Sequence, residues 1–139
     1  MNQNPIIIQV IVNAPLKKVW EYWTQPEHIT QWAFASDDWT APKAENDVQV
    51  GGYFNTRMES KDGSQGFDFT GMYTTVERHS LIEYQMDDGR NVKVSFEETP
   101  EGVKVTQSFD PEDENSRELQ QSGWQAILDN FKKYAEKSS

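Results

Sequence analysis

Between residues 53 and 109 the chain alternates apolar and polar side chains in five runs, each followed by a short turn-forming stretch or a bend. The runs are 53–60, 66–76, 81–86, 91–97 and 103–109. Period two belongs to a β-strand with one buried face. The faces read Phe54, Thr56 and Met58; Phe67, Phe69, Gly71 and Tyr73; Ile82, Tyr84 and Met86; Val92, Val94 and Phe96; and Val103, Val105, Gln107 and Phe109. The connectors Lys61-Asp62-Gly63-Ser64, Asp87-Asp88-Gly89-Arg90 and Thr99-Pro100-Glu101-Gly102 leave room only for hairpins, and Asp-Gly is a strong hairpin signal. The strands must therefore form an antiparallel meander. A run at 6–13, with Ile6, Ile8, Val10 and Val12 pointing one way, adds a sixth strand.

One apolar sheet face has to be covered by something. After the first strand come Asn13-Ala14-Pro15 and a stripe of Leu16, Val19, Trp20 and Trp23 at helical spacing. Pro15 suits the first helical position, where its missing N–H costs nothing. Pro26 ends this helix near Thr24 and begins a second short one carrying Ile29 and Trp32. Residues 35–50 are rich in turn formers (Ser36, Asp37, Asp38, Pro42, Asn46, Asp47) and read as a long connection, with a bend at Gly51-Gly52. The acidic stretch 110–115 then leads into Leu119, Gly123, Trp124, Ile127, Leu128, Phe131, Tyr134 and Ala135 at helical spacing. Asn115 with Glu118 predicts a capping box for a helix of about 20 residues, roughly 30 Å long. The fold class is α+β: a curved six-stranded antiparallel sheet wrapped around a long C-terminal helix, with two short helices between strands 1 and 2. A single domain spans 1–139, with its core over about 6–136.

A single helix rarely fills a strongly curved sheet. Glycines at 51, 52, 66 and 71 are consistent with that curvature. The inward wall would comprise Trp32, Phe54, Met58, Phe69, Tyr73, Tyr84, Met86, Phe96, Gln107, Trp124, Ile127 and Leu128. Rings and thioethers with a few polar tips are how small-molecule pockets are lined. The same pattern also suits a core in which these side chains simply meet one another. A buried Gln107 needs a partner, and Tyr73 and Tyr84 can donate to a ligand carbonyl or phenol.

Composition narrows the function. Net charge is -10, which disfavours nucleic-acid backbones and anionic membrane surfaces. There is no cysteine, so disulfides and thiolate metal sites are excluded, and a reducing cytoplasm suits the chain. Met1-Asn2-Gln3-Asn4-Pro5 carries no basic n-region, so no signal peptide is expected, and no apolar stretch reaches membrane-spanning length. Mean hydropathy is low at -0.84, but five Trp, five Tyr and seven Phe concentrate the apolar surface in large rings. His28 and His79 lack zinc-ligand spacing and read as structural residues. No Ser lies in a nucleophile elbow, Gly51-Gly52 lacks the residues of a phosphate loop, and Asp37-Asp38 and Asp87-Asp88 read as solvated turns. Arg57 and Glu59 face outward, opposite Met58. No metal, cofactor or catalytic residue is assigned.

Ala14-Pro15, Val19-Trp20, Trp23-Thr24-x-Pro26-x-His28, Trp32, Gly51-Gly52, Gly71-x-Tyr73, Asp88-Gly89-Arg90 and Gly123-Trp124-x-x-x-Leu128 follow in order. This set resembles the Hsp-90 ATPase activator homologue-like branch of the START and birch-pollen-allergen superfamily, from about residue 6 to 136. The resemblance implies the helix-grip fold and a cavity between sheet and C-terminal helix. Superfamily members include carriers, cyclases, hydrolases, hormone receptors and drug-sequestering proteins, so fold alone does not give activity. The leading expectation is a monomeric, non-enzymatic binder or carrier of a small aromatic, polyketide or lipid-like molecule. The alternatives are a cyclase- or hydrolase-type enzyme on a hydrophobic substrate, and a Hsp-90-type co-chaperone or stress-response interaction protein.

Overall fold

The computed structural model describes residues 4–138. The expectation of no leader at residues 1–3 lies outside the described residues. In chain order the elements are β1 (Ile6–Val12), α1 (Leu16–Thr24), α2 (Pro26–Ile29), β2 (Trp39–Asn46), β3 (Tyr53–Ser60), β4 (Gly66–Glu77), β5 (Leu81–Met86), β6 (Asn91–Thr99), β7 (Gly102–Phe109) and α3 (Arg117–Ser138). All strands pair antiparallel in one sheet of order β1-β7-β6-β5-β4-β3-β2. The fold is α+β, with the helices lying on the apolar face in a helix-grip arrangement.

The sheet has seven strands, not six. The extra one, β2, lies in the stretch read as a connection. It is an edge strand pairing only with β3, and its register shifts between Thr40 and Lys43, around Pro42. A proline cannot donate to a ladder and is tolerated at an edge irregularity of this kind. Only Ala41 of its eight residues is buried, so it carries no continuous apolar stripe to read.

The predicted inward faces are the buried ones, except that Phe67 near the start of β4 is 50% exposed. Ile6, Ile8, Val12, Phe54, Met58, Ile82, Val94, Val105 and Phe109 are all core residues. Two details at the helix ends differ from expectation. Pro15 is the residue before α1 rather than its first helical residue. The cap of α3 is Ser116, whose Oγ accepts the Leu119 N–H at 3.1 Å, while Asn115 is held by Glu112. Leu119, expected on the buried stripe, is 59% exposed, and Gln120 is buried in its place. The Gln120 amide accepts from Glu112 N–H and donates to the Asn115 carbonyl, tying the acidic loop to the helix.

The backbone of α3 comes closest to β1 and α1. It therefore leans on one margin of the sheet. Over β3, β4 and β5 only long side chains reach across from the sheet, and there the opposing walls stand apart.

Candidate functional site

The space left beneath α3 is a cavity of about 420 Å³, within the size range of small-molecule sites. Its floor is the inner face of the sheet, with Phe54, Thr56, Met58, Phe69, Tyr73, Ile82, Tyr84, Met86 and Gln107. Its roof is Trp124, Ile127 and Leu128 of α3. Trp23, Ile29, Trp32 and Ala33 close the end nearest the short helices. Of the residues expected to line it, all do so except Phe96. That ring packs against Trp20 at 5.3 Å and Trp23 at 5.9 Å between ring centroids.

The apolar wall is an aromatic mesh. Phe54 lies edge-on to Tyr84 at 4.8 Å and to Phe69 at 5.5 Å. Trp124 stacks on Phe109 at 3.9 Å with planes only 9° apart, which fixes its indole over the space. Trp32 is held by two kinds of contact. Its indole N–H donates to the Tyr22 carbonyl at 2.9 Å, and its ring packs on Phe131 at 4.8 Å. Such ring pairs contribute roughly 0.5–1.5 kcal/mol each beyond area burial. The walls are therefore stiff.

Gly71 shapes the floor. A Cβ there would lie 2.8 Å from the Gln85 carbonyl oxygen and 2.8 Å from two atoms of the Phe54 ring. Phe54 is paired opposite Gly71, and its ring lies against the glycine.

Four polar groups punctuate this wall. The Tyr73 hydroxyl donates to Asn46 Oδ1, and Asn46 Nδ2 donates to the Thr24 carbonyl at 2.7 Å, so strand β2 and helix α1 both anchor that phenol. Tyr84 lies beside it, with ring centroids 6.2 Å apart. Burial pushes the pKa of both phenols well above the ordinary tyrosine range, and for Tyr84 the neighbouring Tyr73 adds to the shift while the Gln107 amide opposes it. Both therefore stay protonated and act as donors across the physiological range. Gln107 is 7% exposed and Thr56 is 6% exposed. Among the described residues the Thr56 hydroxyl has no hydrogen-bond partner.

Asn46, Thr56, Ile82, Ala33 and the mouth residues were not among the expected wall. Thr56 and Ile82 share the alternating faces that named their neighbours, so the same signal reaches them. Asn46 had no such signal, because its role comes from Tyr73, 27 residues away. Asp87, Asp88 and Arg90 read correctly as a turn but also border the cavity. The two histidines read as structural residues make structural contacts: His28 has its Nδ1 2.6 Å from the Tyr134 hydroxyl, and His79 packs edge-on to Trp20. Among the described residues no cluster of His, Cys, Asp or Glu could hold a metal, and no helix is long and apolar enough to cross a membrane.

Comparison with known proteins places this geometry in a family. No functionally curated protein matches the chain. Among solved structures, the AHSA1-like protein from Aeromonas hydrophila is 43% identical with a TM-score of 0.91, covering 96% of this chain and 93% of that one. A protein from Cytophaga hutchinsonii is 50% identical with a TM-score of 0.83, covering 97% and 94%. A protein from Chromobacterium violaceum, 20% identical with a TM-score of 0.85 over 96% of this chain and 99% of that one, shares the fold. The family model described as activator of Hsp90 ATPase homolog 1-like protein matches residues 13–136. The chain belongs to that family.

Proposed function

We propose that this protein binds a small hydrophobic molecule in the cavity beneath α3 and holds it without transforming it. One observation carries the reading: a space of about 420 Å³ walled by rings and thioethers, into which the nearly buried Thr56 and Gln107 project. Polar side chains set in an otherwise apolar wall favour an occupant with a hydrogen-bonding group placed to meet them. The ligand is thus an apolar, ring- or chain-bearing molecule with a hydrogen-bonding group near its middle.

Binding is favoured over catalysis by the state of the polar groups. Acid–base chemistry needs a group that changes protonation near the working pH. Burial drives Tyr73 and Tyr84 away from that range, leaving them as fixed donors. Donors of fixed protonation orient a carbonyl or phenol and do not relay its protons.

Nile red, a neutral apolar dye, tests the reading. Its emission should rise and shift to the blue on titration into the protein. Ile127→Trp places a larger ring in the roof and should weaken dye binding at least about tenfold while the fold is retained, since overpacking a cavity costs little when the space is already there. Dye binding that is absent, or equal in the filled variant, sinks the proposal.

A further inference from the structure

We infer, building on the cavity-binding reading above, that the cavity selects an amphiphile with a neutral or cationic head and rejects carboxylate-headed lipids, with Asp87 reading the head. The argument starts from where the cavity opens. Residues 66–70 of β4 pair with β3 on one side, but pairing with β5 begins only at Gly71 opposite Met86. The first part of β4 therefore runs past the end of β5 and leaves a notch in the sheet. The exposed wall residues Phe67, Asp68, Asp87 and Asp88 gather at this notch, so it is the mouth.

Every charged group at the mouth can be accounted for. Asp68 lies 3.7 Å from an Arg57 guanidinium nitrogen. Asp88 pairs with Arg90 at 2.8 Å. Among the described residues Arg90 is the one cation bordering the cavity, and it is already taken: besides Asp88, its guanidinium lies 3.5 Å from the Asp110 carbonyl oxygen. An anionic head would have to break that pairing. Asp87 differs from the other two carboxylates. It accepts hydrogen bonds from the Tyr53 and Thr70 hydroxyls, and among the described residues no cation pairs with it. Those two donors favour the ionised carboxylate and hold its pKa below the ordinary carboxylate value.

The mouth thus offers one uncompensated negative charge, fixed in position by two hydroxyls from β3 and β4. The whole chain adds a net charge of -10, a field that repels anions and concentrates cations at an opening. An alkyl chain fits the aromatic walls whatever its head. The head, left in the notch beside Asp87, meets attraction if cationic, a hydrogen-bond acceptor if it is an alcohol, and repulsion if it is a carboxylate.

The test is competition against bound Nile red at low salt by decyltrimethylammonium, decanol and decanoate, each below its micelle concentration. The ammonium should compete at least about fivefold better than decanoate, as expected for unit charges several ångströms apart near a protein surface, with decanol between them. Added salt should narrow the gap. Asp87→Asn should narrow it too, while Thr70→Val, which removes a donor and keeps the carboxylate, should preserve it. The ammonium must also lose its binding in Ile127→Trp, which separates cavity from acidic surface. Decanoate competing as well as the ammonium overturns the inference and leaves the cavity reading intact. A preference unchanged in Asp87→Asn removes Asp87 from its role. Ammonium binding that persists in Ile127→Trp refutes cavity selection, and failure of Nile red itself to bind sinks both readings.

Discussion

Two ends of the space beneath α3 are built from the same materials and finish differently. At the β1, β6 and β7 end, Val12, Val94, Val105, Phe109 and Phe131 are fully enclosed, and Phe96 meets Trp20 and Trp23 ring to ring. At the β3, β4 and β5 end, Phe54, Phe69, Tyr73 and Tyr84 point the same way off the same sheet, and a cavity lies above them. The alternation along the strands is identical. What differs is the distance to the opposing element, because the backbone of α3 comes closest to β1 and only its side chains roof the space over the far strands. A pocket in this fold is therefore a product of where the helix lies, more than of which residues face inward.

The contrast can be broken most forcefully at the packed end. Phe131→Ala removes a fully buried ring wedged between Trp23 at 4.9 Å and Trp32 at 4.8 Å. It should cost about 3–5 kcal/mol in chemical denaturation, the range for a buried ring whose site cannot collapse. Phe69→Ala, at the other end, removes a half-buried ring already bordering a void and should cost less than about 2 kcal/mol. Equal losses at the two positions would mean the two ends are packed alike.

Gly71→Ala comes next. Its new methyl group meets the Gln85 carbonyl and the Phe54 ring, and only the ring can move. It should destabilise by about 1–3 kcal/mol, as overpacked sites do, and should weaken Nile red binding because Phe54 is pushed toward the space. Gln107→Leu sharpens the comparison in another way. Stability should fall by about 1–3 kcal/mol, since the buried Tyr84 hydroxyl loses the Gln107 amide. Affinity for ligands bearing a carbonyl should fall severalfold more than affinity for pure hydrocarbons.

The smallest effect lies in the β3–β4 turn at the cavity end. The Ser64 hydroxyl, the Ser64 N–H and the Ser60 hydroxyl all donate to Asp62, holding its carboxyl down at about 2 from an ordinary 3.8. A carboxyl depressed in the folded state contributes stability above its unfolded value and loses it as pH falls through the folded one. The Ser64 amide resonance should therefore titrate with a midpoint near pH 2, and Asp62→Asn should flatten the fall in stability from about pH 4 to 2. A Ser64 midpoint at the ordinary carboxylate value would contradict the hydrogen bonds seen there.

Legibility in the sequence follows the same division. The five-run meander is readable because each strand turns its apolar residues to one face, and the turn residues between runs are too few for anything but hairpins. β2 is not readable, because an exposed edge strand with Pro42 at its irregularity carries no alternation and only Thr40 as a β-branched residue. The cap of α3 was displaced by one residue because Asn115 and Ser116 are both good caps, and only the acceptor geometry at Leu119 decides between them. Phe96 was placed with the cavity wall for a deeper reason. Period two names the face a side chain points to and says nothing about what stands opposite. The partners that distinguish Phe96 from Phe54 come from α1, more than 70 residues away along the chain, by the Trp20 and Trp23 contacts.

The methionines give the most direct test of the central claim. Met58 and Met86 line the cavity, whereas Met72 is 42% exposed on the opposite face of the sheet. In protein labelled with [methyl-13C]methionine, saturation with Nile red should shift the Met58 and Met86 methyl resonances strongly, by ring currents and by displaced solvent, and leave Met72 in place. Unmoved Met58 and Met86 signals at dye saturation, or a shift confined to Met72, would contradict a ligand beneath α3.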